Sequence, residues 1–242
     1  MSGLHSTGVT VPGRLAAFSA ALQPGTITVI CGPNGAGKST LLQCLAGLLV
    51  PEAGSVALDG QALSSMAARE RAQAIGYLPQ TGEVAWDLPV RTLAALGRLP
   101  HGDAGQVEVD LVLAALDLVD LAERRVSSLS GGERARALLA RVLAGTPRWV
   151  LADEPLAALD LVHQLALLRH LRQAANSGTG VVLVLHDLAL AMNHADRVLL
   201  LDRGRLVADG APETALSEKH IAQVWGVPGR WLGDPGRRAL AV

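Results

Sequence analysis

Residues Gly32-Pro33-Asn34-Gly35-Ala36-Gly37-Lys38-Ser39-Thr40 carry the densest chemistry in the chain. Gly32 to Ser39 fits the spacing G-x-x-x-x-G-K-[ST]. It lies between an apolar β-type run, Ile27–Cys31, and a helical pattern with Leu41, Leu42, Leu45 and Ala46 on one face. Glycines let successive N–H groups turn inward on one anion. A helix starting near Gly37 adds the positive end of its dipole. Lys38 supplies a mobile point charge for outer phosphates, and Ser39 offers a hydroxyl to Mg²⁺. Lysine occurs only at positions 38 and 219, with arginine supplying the other positive charge. That usage suggests that a compact ammonium is needed at 38.

A second group lies further along. The apolar strand pattern Trp149–Ala152 delivers Asp153 and Glu154 at its carboxyl end, where open α/β sheets place ligands, and we expect it beside the strand leading to Gly32. Asp153 can hold Mg²⁺ through its water shell, and Glu154 can polarise an attacking water as general base. A solvated acidic turn before Pro155 is the alternative. Leu129-Ser130-Gly131-Gly132-Glu133 precedes a helical pattern. Ser130 and Glu133 are spaced as a capping box, while the same glycines would expose N–H groups to an anion. Both readings stand together. Gln80 and His186 each follow a predicted strand, and taken singly they are a common polar loop residue and a strand-end histidine.

The elements needed to position these groups are legible. Turn signals at Pro12-Gly13, Pro24-Gly25, Asp59-Gly60 and Asp202-Arg203-Gly204 separate short β segments. Strands are predicted at 55–58, 74–78, 148–151, 181–185, 197–201 and 205–208, and helices at 65–73, 92–96, 131–144, 161–174 and 188–192. The spacing of Leu111, Val112, Ala115, Leu116 and Val119 predicts one helix over 107–121. From about Thr81 the character turns helical, as in an insertion between strands of an α/β core. From Gly226 the tail holds either a small hairpin or loose chain.

Composition bounds the rest. The 242 residues are 50% hydrophobic but only six are aromatic, so the core is mostly Leu, Val and Ala. A net charge of −1 gives no electrostatic footprint for nucleic acid. Cys31 and Cys44 read as small buried hydrophobes, with no disulfide framework or metal spacing, which points to a reducing compartment. The N-terminus lacks the regions of a signal peptide, and no apolar run reaches the roughly 18 residues of a membrane span.

In this order, Gly32–Ser39, Gln80, Leu129–Glu133, Asp153–Glu154 with Asp160, and His186 resemble the ATP-binding subunit of an ABC transporter. The resemblance runs from about residue 9 to about 226. It implies an α/β fold: a P-loop NTPase core with a mainly parallel sheet, an N-terminal antiparallel β subdomain and an inserted α-helical subdomain. Residues 1–242 would form one ATPase domain, with the insertion at 81–135 and a tail at 226–242. It implies two copies packed head to tail, with ATP held between Gly32–Thr40 of one copy and Ser130, Gly131, Gly132 and Glu133 of the other. Asp160 would lie in the loop crossing that interface. Glu154, His186 and Gln80 would act on the attacking water and γ-phosphate. Mg²⁺ would be held by Ser39, Gln80 and Asp153.

The stretches Leu185–Leu188, Ala195–Val198, Asp209–Glu213 and Ile221–Val227 resemble importers of iron chelates, haem and cobalamin. That likeness implies two polytopic permeases, an extracytoplasmic substrate-binding protein, and a peripheral place on the cytoplasmic face of the membrane. Val84, Ala85 and Trp86 would face the permease, or Trp86 would serve as insertion core. An exporter subunit, or a soluble ATPase of the same fold acting on nucleic acid or ribosomes, is the alternative; the long coiled coil, second ATPase domain and basic surface of the latter have no counterpart here. The family places an aromatic residue against the adenine from its N-terminal strand. Here that position falls near Val9 or Val11, so the base would rest on an aliphatic side chain.

Overall fold

A computed structural model describes residues 3–80, 87–157 and 159–242. The chain runs β1 (Leu4–Val11), β2 (Leu15–Leu22), β3 (Ile27–Cys31), α1 (Lys38–Leu45), β4 (Ala53–Leu58), β5 (Gln61–Ala62), α2 (Ala68–Ala74) and β6 (Ile75–Leu78). Then come the helices α3 (Val90–Ala95), α4 (Gln106–Ala115) and α5 (Gly131–Ala144). The core resumes with β7 (Trp149–Asp153), α6 (Leu161–Asn176), β8 (Gly180–Val184), α7 (Leu188–His194), β9 (Arg197–Asp202) and β10 (Arg205–Gly210). It closes with α8 (Pro212–Ala215), α9 (Glu218–Trp225), β11 (Arg230–Leu232) and β12 (Ala239–Ala241).

Six strands form the central sheet in the order β10-β9-β3-β8-β7-β6, with β10 alone antiparallel. Strands β3, β7 and β8 are buried at every residue, which is why they read as unbroken apolar runs rather than alternating ones. Alternate side chains feed two cores. Ile30, Leu151, Val182 and Leu199 pack with α1 and the antiparallel sheet β2-β1-β4-β5. Val29, Val150, Val181 and Leu200 pack with the helices on the other face. Cys31 and Cys44 are buried as expected, and burial pushes their thiols up to about 12 and about 11. The sheet corrects one expectation: β8, not β7, lies next to β3 on this side. It is therefore the His186 strand that borders the P-loop strand, with the Asp153 strand one place further out.

The 107–121 helix also differs from its prediction. α4 ends at Ala115, where Leu118 N–H bonds Leu113 O at 2.8 Å and Asp117 N–H bonds Ala114 O at 3.3 Å. Asp117 is left-handed, φ 53°, at the C′ position of this Schellman closure. The reversal buries Leu118 completely, and Val109, Leu113 and Leu116 face the core. Leu111 and Val119, expected inward, are 64% and 59% exposed. A turn that captures one more leucine outweighs two further helical residues.

The tail is a hairpin, β11–β12, pinned to the core. Asn193 on α7 bonds both the N–H and the C=O of Arg238 at 2.8 Å, and Trp231 Nε1 donates to Leu216 O at 2.7 Å. Among the described residues no helix is long and apolar enough to cross a membrane. Because a side chain at Asp117 strains its left-handed backbone, Asp117→Gly is expected to stabilise the fold by about 1 kcal/mol. The check is the midpoint of urea unfolding; a lowered midpoint would show that the carboxylate contributes more than the strain costs.

Candidate nucleotide site

The parallel register aligns four strand ends. Ile30 pairs with Val184, Val184 with Asp153, and Leu78 with Ala152. The residues that follow, Gly32, His186, Glu154 and Gln80, therefore emerge along one edge of the sheet. With α1 they border a cleft of 680 Å³ lined by Gly13, Arg14, Asn34, Gly35, Gly37, Lys38, Ser39, Thr40, Gln80, Glu154 and His186.

The P-loop half of the cleft is shaped by close backbone approach. Gly37 is left-handed, φ 96°, and a methyl there would stand 2.5 Å from Arg14 O. It occupies the N-cap of α1 without a side-chain cap, so the first-turn N–H groups remain open to an anion. Lys38 is 6% exposed, and its Nζ donates to Gly32 O and Pro33 O, each at 2.9 Å. Burial lowers its pKa, opposed chiefly by the Glu154 carboxylate and then by Cys31 and Asp153. The ammonium thus sits in a polar shell that a polyphosphate could replace with stronger, charged acceptors.

The carboxylate half is held by other elements. Ser39 Oγ donates to Asp153 Oδ1 at 3.1 Å. Burial raises the Asp153 pKa and Glu154 adds to the rise, while Ser39, Lys38 and His186 oppose it. Glu154 is engaged at both oxygens: Gln80 Nε2 donates to Oε2 at 2.6 Å, and His186 Nε2 reaches Oε1. Its backbone is left-handed, φ 50°, an unfavourable conformation for a side chain of this size. The hydroxyl and carboxylate oxygens at Ser39 and Asp153 are hard donors of the kind Mg²⁺ takes, and Ser39 opens on the cleft.

Ser130, Gly131, Gly132, Glu133 and Asp160 do not line this cleft. Ser130 completes the predicted capping box of α5: its N–H donates to Glu133 Oε2 at 2.8 Å, and Glu133 N–H donates to Ser130 Oγ at 3.3 Å. The same backbone bond holds the Glu133 carboxyl below the usual range. Asp160 caps α6. Gly32, Pro33 and Ala36 support the loop from beneath: Ala36 is buried, and a methyl at Gly32 would meet Leu201 O at 2.2 Å. Val9 is fully buried and Val11 does not reach the cleft. Val84, Ala85 and Trp86 lie outside the described residues.

Gly13 and Arg14 border the cleft although sequence reasoning saw only a turn there. Their one local signal was Pro12-Gly13; what carries them to the P-loop is pairing in the sheet, with Ala16 N–H bonding Gly204 O at 2.9 Å.

Because ionising Asp153 costs more in the folded than in the unfolded chain, its charge opposes folding above the unfolded pKa. Asp153→Asn is expected to raise Tm at pH 7, with the gain shrinking as pH falls through the native pKa toward the unfolded one. A lower Tm for the variant at pH 7 would contradict that sign.

Residues 15–157 match the family model described as ABC transporter. The hemin import ATP-binding protein HmuV of Rhodococcus jostii is 44% identical over 90% of this chain and 76% of its own. HmuV of Myxococcus xanthus is 43% identical over 89% and 86%. A solved chain from an inward-facing ABC transporter described as being of metal-chelate type superposes with a TM-score of 0.84, at 25% identity over 99% of this chain and 96% of that one. With its phosphate cradle, paired carboxylates and capped Ser-Gly-Gly-Glu turn, the chain belongs to the ABC transporter family, as an ATP-binding subunit that hydrolyses ATP to drive transport.

Proposed function

We propose that this subunit powers uptake of haem or a related metal chelate through a membrane permease. The observation that supports the hydrolytic step is Glu154, held at both oxygens from two different strand ends beside the P-loop. The relatives' name supports haem as the cargo, and the metal-chelate type of the superposed transporter supports the wider class in which we also place iron-siderophore and cobalamin.

In this reading Gly32–Thr40 cradle the phosphates. Lys38 leaves the carbonyls of Gly32 and Pro33 for the β- and γ-phosphates. Ser39, Asp153 and Gln80 would hold Mg²⁺, which when bound neutralises charge on the β- and γ-oxygens. Glu154 accepts a proton from water as the new O–P bond forms and the bond to the ADP oxygen breaks. His186 and Gln80 keep the carboxylate aimed at that water, and His186 also meets the γ-phosphate.

Ser130, Gly131, Gly132, Glu133 and Asp160, which stand away from the chain's own cleft, act on the nucleotide of a second copy packed head to tail. Two such copies would serve two polytopic permease subunits from the cytoplasmic face, fed by an extracytoplasmic binding protein. The helical insertion at 81–135 would meet the permease. Leu99 and Leu111, exposed between β6 and β7, offer it apolar surface.

The γ-phosphate end of the cleft is set by Glu154, His186 and Gln80. The nucleoside then lies toward the β1–β2 turn, where Arg14 is exposed and no ion pair or hydrogen bond among the described residues engages its guanidinium. No aromatic residue among the described ones lines the cleft. A guanidinium plane stacks on a purine face, so Arg14 takes the place of the family's aromatic platform.

Glu154→Gln is expected to bind ATP, form an ATP-dependent dimer and lose at least 100-fold in turnover, a loss of order 3 kcal/mol in the barrier; wild-type turnover would sink the role given to Glu154. In liposomes holding the cognate permeases, ATPase activity is expected to rise with haemin-loaded binding protein, and unchanged activity with haemin but a rise with another chelate would reassign the cargo. Arg14→Ala is expected to weaken ATP binding several-fold while leaving tripolyphosphate binding unchanged, with Arg14→Tyr restoring it. An equal loss for both ligands would place Arg14 on the phosphates instead.

A further inference from the structure

His163 stands outside every motif singled out in the sequence, on the first turn of α6, yet it touches two of them. Its backbone N–H donates to Asp160 Oδ1 at 3.0 Å, and its ring Nδ1 lies 2.6 Å from the same oxygen. One carboxylate therefore caps α6 and fixes the ring. The Asp160 carboxyl is held below its usual range by that backbone bond first and the ring second.

The other edge of the ring lies on Gly132. A methyl at Gly132 would stand 2.1 Å from Cδ2, 2.4 Å from Cγ and 2.6 Å from Nε2 of His163. Gly132 has ordinary helical backbone within α5, so conformational freedom is not what glycine supplies. It is buried, whereas Ser130 and Gly131 beside it are exposed. A glycine inside a helix costs about 0.5–1 kcal/mol relative to alanine, and here the offsetting gain is space for an imidazole. The next residue of α6 ties down the loop from Glu154: Gln164 Nε2 donates to Leu159 O at 3.1 Å and to Leu156 O at 3.3 Å.

We infer that His163 is a positioning residue that locks the Ser130–Gly132 turn to Asp160 at the start of α6, so that the two helix starts move as one body. This rests on the head-to-tail reading above. In that reading Glu154 serves the chain's own nucleotide while the Ser130–Glu133 turn serves the partner's. The peg at His163 then couples the two nucleotides within each subunit: closing one half-site carries the other with it. It also joins the helical insertion to the core at its carboxyl-end side, opposite the Gln80 contact.

The test is a suppressor experiment on the full chain. Gly132→Ala drives a methyl into the ring. It is expected to lower Tm by several degrees and, in a Glu154→Gln background, to weaken ATP-dependent dimerisation at least tenfold. Adding His163→Ala should recover most of both losses. If Gly132→Ala melts like the parent, or if the double variant stays as impaired as the single one, the contact is not what requires glycine and the inference falls.

His163→Ala alone is expected to raise the ATP concentration for half-maximal hydrolysis at least threefold without changing monomer ATP affinity. His163→Asn, whose amide can still donate to Asp160, should largely restore it; wild-type kinetics in His163→Ala would overturn the coupling role. A Glu154→Gln parent that binds ATP yet never dimerises would reject the head-to-tail reading. The Tm pair would still decide whether His163 is the reason for Gly132.

Discussion

The site depends on one constraint, the in-step parallel pairing of β3, β8, β7 and β6. Their ladder bonds place four carboxyl ends level with one another, and the candidate side chains at the phosphate end of the cleft close or follow one of those ends or open α1, while Arg14 comes from the β1–β2 turn. A slip of one residue in any pair would send each side chain of that strand to the opposite face. Both faces of β3, β7 and β8 are packed, so such a slip would misfit two cores at once. The precision of the site is thus inherited from hydrophobic burial far from it.

On that edge charge is balanced locally. Lys38 loses hydration on burial and regains it from two carbonyls and two nearby carboxylates. Asp153 is penalised by burial and relieved by a hydroxyl. Glu154 is bound at both oxygens by residues arriving from the outer and inner neighbours of its own strand. Removing one partner leaves another with an unmet charge, so the groups act as a unit rather than as independent contributors.

The residues that do not meet in the cleft are organised just as tightly. The capping box at Ser130 and the cap at Asp160 each use a side chain to satisfy helix N–H groups. His163 spans the gap between those two helix starts. Capping and binding need not compete, because a capped turn is a rigid one, and a rigid surface loses less freedom when it meets a ligand or partner.

Local chemistry was legible without coordinates. The glycine-rich turn, the lysine within it, the Asp-Glu pair at a strand end and the S-x-x-E cap are each set by contacts within a few residues, and their spacing states them. Most element boundaries were readable for the same reason. The end of α4 was not, because burying Leu118 is a long-range gain that periodicity does not register. Neither was the place of β8 between β3 and β7, since strand order depends on crossovers through helices rather than on any strand's own residues. Arg14 beside Gly37 and His163 against Gly132 lie in the same class: residues 23 or 31 positions apart meet only after the sheets pair and the helices pack. The sequence by itself determined which groups of the phosphate end were candidates for the chemistry. Only the tertiary structure decided which of them share a cleft and which stand away from it, because that choice is made by packing between elements distant in the chain.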